Sequence, residues 1–149
     1  MINLVVPAIE LEKVKFPLLV KFYQRVYKKG RNLKGSRAFV LQRAGITCAA
    51  KLRDIDSHLL LCSVACDPAF RGLGDASRLV KYLLTRQTAP VYCFVTPTLH
   101  TFYQRLGFIL SDAKQINIPL AIIKKHAAYQ KNRPLLLMSY GVNSGKNCA

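Results

Sequence analysis

Acidic residues are what this chain has least of. Only 7 Asp and Glu stand against 23 Lys and Arg, a formal net charge of +16. Between Glu12 and Asp54 lie twelve Lys or Arg and no acid, with Lys28, Lys29, Arg31, Lys34 and Arg37 the densest part. Such an imbalance suits a polyanionic partner, nucleic acid or an acidic acceptor, and equally a solvated basic surface that attracts smaller anions. Long apolar runs are missing as well. The longest reach about eight residues, against the roughly 18–20 that cross a bilayer, so no membrane partner is expected. Residues 1–7 show neither a basic leader nor a cleavage-site pattern, so no signal peptide is expected. There is no Cys-x-x-Cys and no close His pair, which argues against a metal site. The five cysteines are an odd number, and Cys62, Cys66 and Cys93 fall in apolar strand contexts. They read as reduced core residues of a cytoplasmic protein. With no repeats and no linker-like stretch, the 149 residues read as one domain, 1–149, large enough for a real core.

What is present is concentrated in Cys66-Asp67-Pro68-Ala69-Phe70-Arg71-Gly72-Leu73-Gly74-Asp75-Ala76-Ser77-Arg78-Leu79. The apolar run 59–66 before it reads as a buried strand, which Asp-Pro stops because proline cannot donate to a ladder. After Gly74 the apolar residues Ala76, Leu79, Val80, Leu83 and Leu84 fall on one face of a helix. The glycines therefore occupy a tight loop between a strand end and a helix N-terminus. Such a loop gathers backbone N–H groups and the positive end of the helix dipole, a setting for phosphate or pyrophosphate. A nucleoside-triphosphate loop is excluded, since no Lys-Ser or Lys-Thr follows the glycines. The dinucleotide fingerprint fails too, for want of a third glycine. The plain alternative is a glycine-rich helix start without a ligand.

The rest of the chain supplies an ordered set of elements. Residues 3–9 read as a strand. Phe16, Leu19, Val20, Tyr23, Val26 and Tyr27 make a helix stripe with Lys15, Lys21, Arg25 and Lys28 on the wet side. Gly30 and Gly35 break it. Residues 37–43 and 46–53 form two strands turning at Ala44-Gly45, and 57–66 is the third antiparallel member. The glycine-loop helix runs to about Gln87. A strand at 90–95 follows, parallel in type because a helical crossover precedes it. A short helix at 97–106, a short strand at 108–110, a helix at 119–131 opened by Pro119, a last strand at 134–140 and a frayed tail at 141–149 complete the chain.

Two motifs in this order resemble the GNAT superfamily of acetyl-CoA-dependent N-acetyltransferases. Arg71-x-x-Gly74-x-Ala76 is similar to the family's Q/R-x-x-G-x-G/A loop. Phe102-Tyr103-Gln104-Arg105-Leu106-Gly107-Phe108 is similar to its Y-x-x-x-G-F segment, with Tyr103 lying 32 residues after Arg71. The resemblance covers about residues 59–110, and the element order agrees outside it. It implies an α/β, mixed α+β, GNAT fold: a central, mostly antiparallel twisted sheet, splayed at its fourth and fifth strands and flanked by helices. The helix at 119–131 departs from the commonest form of the family, which leaves the acceptor side open.

The resemblance also implies roles. Acetyl-CoA is the expected cofactor, with CoA as product and no metal. Arg71, Gly72, Leu73, Gly74, Asp75, Ala76 and Ser77 would form the pyrophosphate loop, with the Asp75 carboxylate turned away from it. The backbone of Cys62, Val64, Ala65 and Cys66 would pair with pantetheine, as an added strand would. Their side chains would not matter, so Cys66 is not taken as a catalytic thiol. Thr96, seven residues before Tyr103, stands where the family often has an Asn contacting pantetheine. Tyr103 matches a tyrosine that donates a proton to the departing sulfur, a task a phenol suits at neutral pH; the alternative is a core aromatic beside a stripe of Leu99, Phe102 and Leu106. His58 is the candidate base, since an imidazole titrates near neutrality; the alternative is an exposed residue at a strand start. His100 has no counterpart in the family. The expected activity is acetyl transfer to a primary amine of a small molecule or peptide. Two alternatives stay open: toxin-like acetylation of aminoacyl-tRNA, and a module that binds CoA or RNA without turnover. The sequence leaves the oligomeric state open, a homodimer included.

Overall fold

The computed structural model describes residues 6–111 and 117–141. Asn3 to Val5 of the first expected strand, and the expected tail from residue 142, lie outside the described residues. The elements are β1 (Ala8–Glu10), α1 (Phe16–Val26), β2 (Ser36–Gln42), β3 (Ile46–Ile55), β4 (His58–Cys66) and α2 (Asp75–Thr85). They continue with β5 (Val91–Val95), α3 (His100–Arg105), β6 (Ile109–Leu110), α4 (Leu120–Gln130) and β7 (Leu136–Tyr140). The strands form one mixed sheet in the order β1-β2-β3-β4-β5-β7-β6. β4 and β5 run parallel, with Leu59, Leu60 and Leu61 opposite Val91, Tyr92 and Cys93. β1 on β2, and β5 and β6 on β7, are antiparallel. Among the described residues no helix is long and apolar enough to cross a membrane.

Local chemistry sets the boundaries. Gly45 turns β2 into β3 at φ 75°, and Asp56 and Ser57, both at positive φ, turn β3 into β4, as a tight two-residue hairpin requires. Pro68 and Pro97 each open a 3-10 turn, and Pro119 caps α4. β7 starts at Leu136 rather than 134, since Pro134 has no N–H to give the ladder. α2 ends at Thr85, short of Gln87.

Contacts divide the chain into two compact units, Met1–Leu52 with Cys62–Arg86, and Arg53–Leu61 with Gln87–Ala149. In the first, α1 buries Leu19, Phe22 and Tyr23 against Val40, Ala49 and Leu11. Phe22 belongs to this face although the expected stripe omits it, and Tyr27 falls beyond the helix end. Lys51 is the other departure: it is 3% exposed rather than part of a basic surface. Its ammonium donates to the carbonyls of Gly30 (3.1 Å) and Asn32 (2.6 Å), beside the Tyr23 ring. Gly30 is obligatory here, because a Cβ would lie 2.4 Å from the Tyr23 ring. The second unit packs Ile55, Leu60, Tyr92, Ile122 and Leu137 together. There α4 is tied down by His126, whose Nε2 lies 2.6 Å from the Leu135 carbonyl oxygen.

Candidate active site

The glycine loop is built from both of its ends. At the strand end, Asp67 accepts a hydrogen bond from the Ala69 N–H (2.9 Å) and pairs with Arg25 (2.6 Å). Those contacts hold its carboxyl below the usual range, the arginine hydrogen bond first. Arg71 Nε donates to the Cys66 carbonyl (3.2 Å), so the arginine folds back over the strand end. Gly72 and Gly74 then adopt φ 84° and 78°, the left-handed region open to glycine. Among the described residues, nothing beyond its chain neighbours lies within 4 Å of where a Gly72 Cβ would stand. Gly74 is the N-cap of α2, and the Arg78 N–H bonds its carbonyl (3.1 Å). The amides just before Arg78 are those that helix geometry leaves without an intrahelical acceptor.

Asp75 is the unusual member of this loop, an acid where an anion is expected. Its side chain is fully covered. Arg43 grips it with two bonds, Nε at 2.8 Å and Nη2 at 3.0 Å, and Arg78 adds a third from the next turn. Its carboxyl is held below the ordinary range, chiefly by the Arg43 hydrogen bonds. Two guanidinium groups thus hold this carboxylate, which is fully covered. Arg78 also donates to the Leu73 carbonyl (3.0 Å), bracing the loop crest. Left-handed glycines, open space, the first-turn amides that helix geometry leaves without an intrahelical acceptor and a neutralised acid together fit a pyrophosphate.

Cys62, Val64, Ala65 and Cys66 follow the last parallel pair on β4 and belong with the loop to the first unit. They are half-buried, so Cys62 and Cys66 are not the buried core residues that their apolar context suggested; Cys48 and Cys93 are. Burial pushes the Cys48 thiol well up and, less strongly, that of Cys66, which disfavours a thiolate at either. Ser63 sits among them at φ 55°. A left-handed residue inside a strand marks a kink of the kind a bulge makes. The buried Tyr23 hydroxyl donates to the Ser63 carbonyl (2.7 Å) and holds it there.

The remaining expected residues lie in the second unit. His58 is the half-buried first residue of β4. Thr96 follows β5 and accepts the Leu99 N–H on its carbonyl (2.8 Å), with no side-chain cap. Tyr103 is 6% exposed on α3, its ring edge-on to Phe102 (5.0 Å) and Phe108 (5.6 Å). The expected stripe changes here: Leu99 is exposed, and Tyr103 takes the inward place beside Leu106. Gly107 has φ 102°, and a Cβ on it would come within 3.0 Å of the Tyr140 ring. Tyrosine, glycine and phenylalanine in this segment are thus one packing unit. Among the described residues no group of three His, Cys, Asp or Glu is placed to hold a metal.

Comparison with known proteins bears on the family and the fold. The model of the acetyltransferase (GNAT) domain family matches residues 34–110. The chain belongs to the GNAT family. Its members are acetyltransferases that generally use acetyl-CoA. No curated protein sequence matches the chain significantly. Among solved structures, Escherichia coli ElaA shares the fold at a TM-score of 0.65 and 15% identity, over 91% of this chain and 99% of that one. The ribosomal-protein-S18-alanine N-acetyltransferase of Escherichia coli does so at 0.63 and 17%, over 97% and 99%. N-acetylglutamate synthase of Neisseria gonorrhoeae, solved with coenzyme A and N-acetyl-glutamate, matches at 0.63 and 14%, over 93% of this chain and 35% of that one. At such identities the likeness is one of fold.

Three features of this site and of the strand leading to it were not anticipated from sequence. Arg78 had a signal, its i, i+3 spacing from Asp75 in the first helical turn. Arg43 had none, because its contact with Asp75 spans 32 positions. The kink at Ser63 had none either, since serine is an ordinary strand residue by pattern.

Proposed function

We propose that this GNAT protein passes an acetyl group from acetyl-CoA directly to a primary amine of a small molecule or peptide, within a ternary complex. When bound, acetyl-CoA supplies the activated thioester. The amides of Gly72, Leu73, Gly74, Asp75, Ala76 and Ser77 hold its pyrophosphate, with Arg71 at the start of the loop. The backbone of Cys62, Val64, Ala65 and Cys66 pairs with the pantetheine arm, and Thr96 adds a contact. Tyr103 holds the proton that the leaving sulfur takes. His58 accepts the proton of the incoming ammonium, directly or through water. The observation that carries the reading is the loop, with open space over Gly72 and its one acid gripped by Arg43 and Arg78.

The experiment is acetyl-CoA turnover screened against amines, peptides and charged tRNA, with Tyr103→Phe beside the wild type. The variant keeps the ring and should lower kcat by about 10- to 1000-fold with CoA affinity unchanged. A wild-type kcat would return Tyr103 to a packing role. Aminoacyl-tRNA is the second reading. It is favoured by Lys13, Lys15, Lys21, Lys28, Lys29, Arg31 and Lys34, which have no acidic partner among the described residues.

A further inference from the structure

The first unit carries a second concavity. A cavity of about 580 Å³ opens between Lys13 and Phe16, at the start of α1, and residues 33–37. It lies at the Ser36 end of β2. The other end of that strand leads through Gln42 to Arg43 and its bond with Asp75 at the head of α2. An extended seven-residue strand puts about 20 Å between the two ends. The cavity is therefore a different place from the glycine loop.

Its lining defines a ligand. Lys13 and Lys34 are exposed and have no acidic partner among the described residues. The third cation, Arg37, is committed: its guanidinium holds Glu10 through Nε (2.8 Å) and Nη2 (2.9 Å). That pairing neutralises Glu10. Planar carboxylates are best read by a guanidinium fork, and this fork is taken. Two ammonium groups are compact, rotatable donors that suit a tetrahedral phosphate. Half-buried Phe16 and Leu33 add apolar walls. Ser36 also lines the cavity, 5% exposed, and its hydroxyl is buried with no partner among the described residues. A buried hydroxyl in that condition calls for an acceptor that the protein alone does not provide. Gly35, at φ 69°, has nothing among the described residues beyond its chain neighbours within 4 Å of a Cβ position, which leaves the mouth clear. The volume suits a small organic molecule rather than a bare ion.

We propose that this cavity is a second ligand site, taking a phosphate monoester carried on a small apolar or aromatic body. The phosphate meets Lys13, Lys34 and the Ser36 hydroxyl, and the body lies against Phe16 and Leu33. The test is titration of phenyl phosphate into the 15N-labelled full chain, with and without saturating CoA. Amide shifts should appear at residues 13–16 and 33–37, apart from those of the glycine loop, and saturate at about 1 mM or below. Exchanging both lysines, Lys13→Gln with Lys34→Gln, should weaken the ester about tenfold while leaving the remaining amide spectrum intact. Benzyl alcohol and inorganic phosphate should each bind about tenfold more weakly than the ester. The proposal is overturned by any of four results. These are no shifts at these residues at about 10 mM ester, an affinity indifferent to the lysine exchange, inorganic phosphate binding as well as the ester, or a short RNA binding where the ester does not. The run without CoA reads the cavity even if the chain does not bind CoA, so the two readings fail separately.

Discussion

Exchanging Lys51 for methionine isolates one buried ammonium. The two side chains have similar length and volume, so Lys51→Met leaves little cavity and removes the head group alone. What disappears is the pair of bonds to the Gly30 and Asn32 carbonyls, at 3.1 and 2.6 Å, and the charge beside Tyr23. Hydrogen bonds from a charged donor contribute about 1.5–3 kcal/mol each. Asn32 is exposed, so its carbonyl can turn to water, whereas Gly30 is buried and its carbonyl is left unmatched. Methionine gives part of this back, because it no longer costs the desolvation of an ammonium. The net loss comes to about 1.5–3 kcal/mol, from a total stability on the order of 10 kcal/mol for a chain of this size. At about 2–4 °C per kcal/mol, Tm should fall by roughly 3–12 °C. Urea unfolding should shift its midpoint with an unchanged slope. A variant as stable as the wild type, or more stable, would show that the buried ammonium does not hold the segment after α1, and the reasoning would be wrong.

The loop yields further predictions. Gly74→Glu puts a charged side chain on a residue at φ 78°, beside Arg78, and should abolish acetyl-CoA binding in calorimetry; retained affinity sinks the pyrophosphate assignment. Asp75→Asn should lower Tm at neutral pH. The wild-type carboxyl is held below its ordinary value, so its contribution is complete above about pH 4 and lost as pH falls through the depressed value. The Tm gap between wild type and variant should therefore close below about pH 4, and a gap that widens there contradicts the pairing. If the acceptor is RNA-borne, Lys28→Glu with Lys29→Glu should remove RNA binding and spare acetyl-CoA binding. Wild-type affinity should then fall steeply between about 50 and 200 mM salt, and a flat salt dependence in a filter-binding assay rejects that acceptor.

Legibility in the sequence followed the range of the interaction. Proline and glycine act on their own backbone, so the loop at 72–74 and the turns at Gly45 and Pro97 could be read without a fold. The parallel strand at 91–95 followed from its crossover helix. Burial was harder to read, since periodicity does not say which of two adjacent aromatics faces inward. Tyr103 is buried where the stripe has Leu99, and Phe22 joins Tyr23 on the buried face of α1 without displacing it. Charge was the least legible. Of the acid-poor stretch, Arg25, Arg37 and Arg43 turn out to be committed to acids, and Lys51 to carbonyls, each partner 19 or more positions away. No local pattern records such pairings, so a count of charges overstated the cations left for a partner.

The kink at Ser63 carries a rule for anyone rewriting this strand. Strand side chains alternate between faces, and a left-handed residue resets the phase of that alternation. Leu60 and Leu61, just before it, are both buried, as on a strand covered on both faces. The two stretches of β4 on either side of Ser63 thus keep separate reading frames, joined by a serine whose carbonyl is held by the hydroxyl of Tyr23, forty positions earlier. Removing that residue, or straightening it with a β-branched substitute, would reassign the facing of every later side chain up to the glycine loop. Asn or Gly at 63 would preserve the frame, because both tolerate the left-handed region.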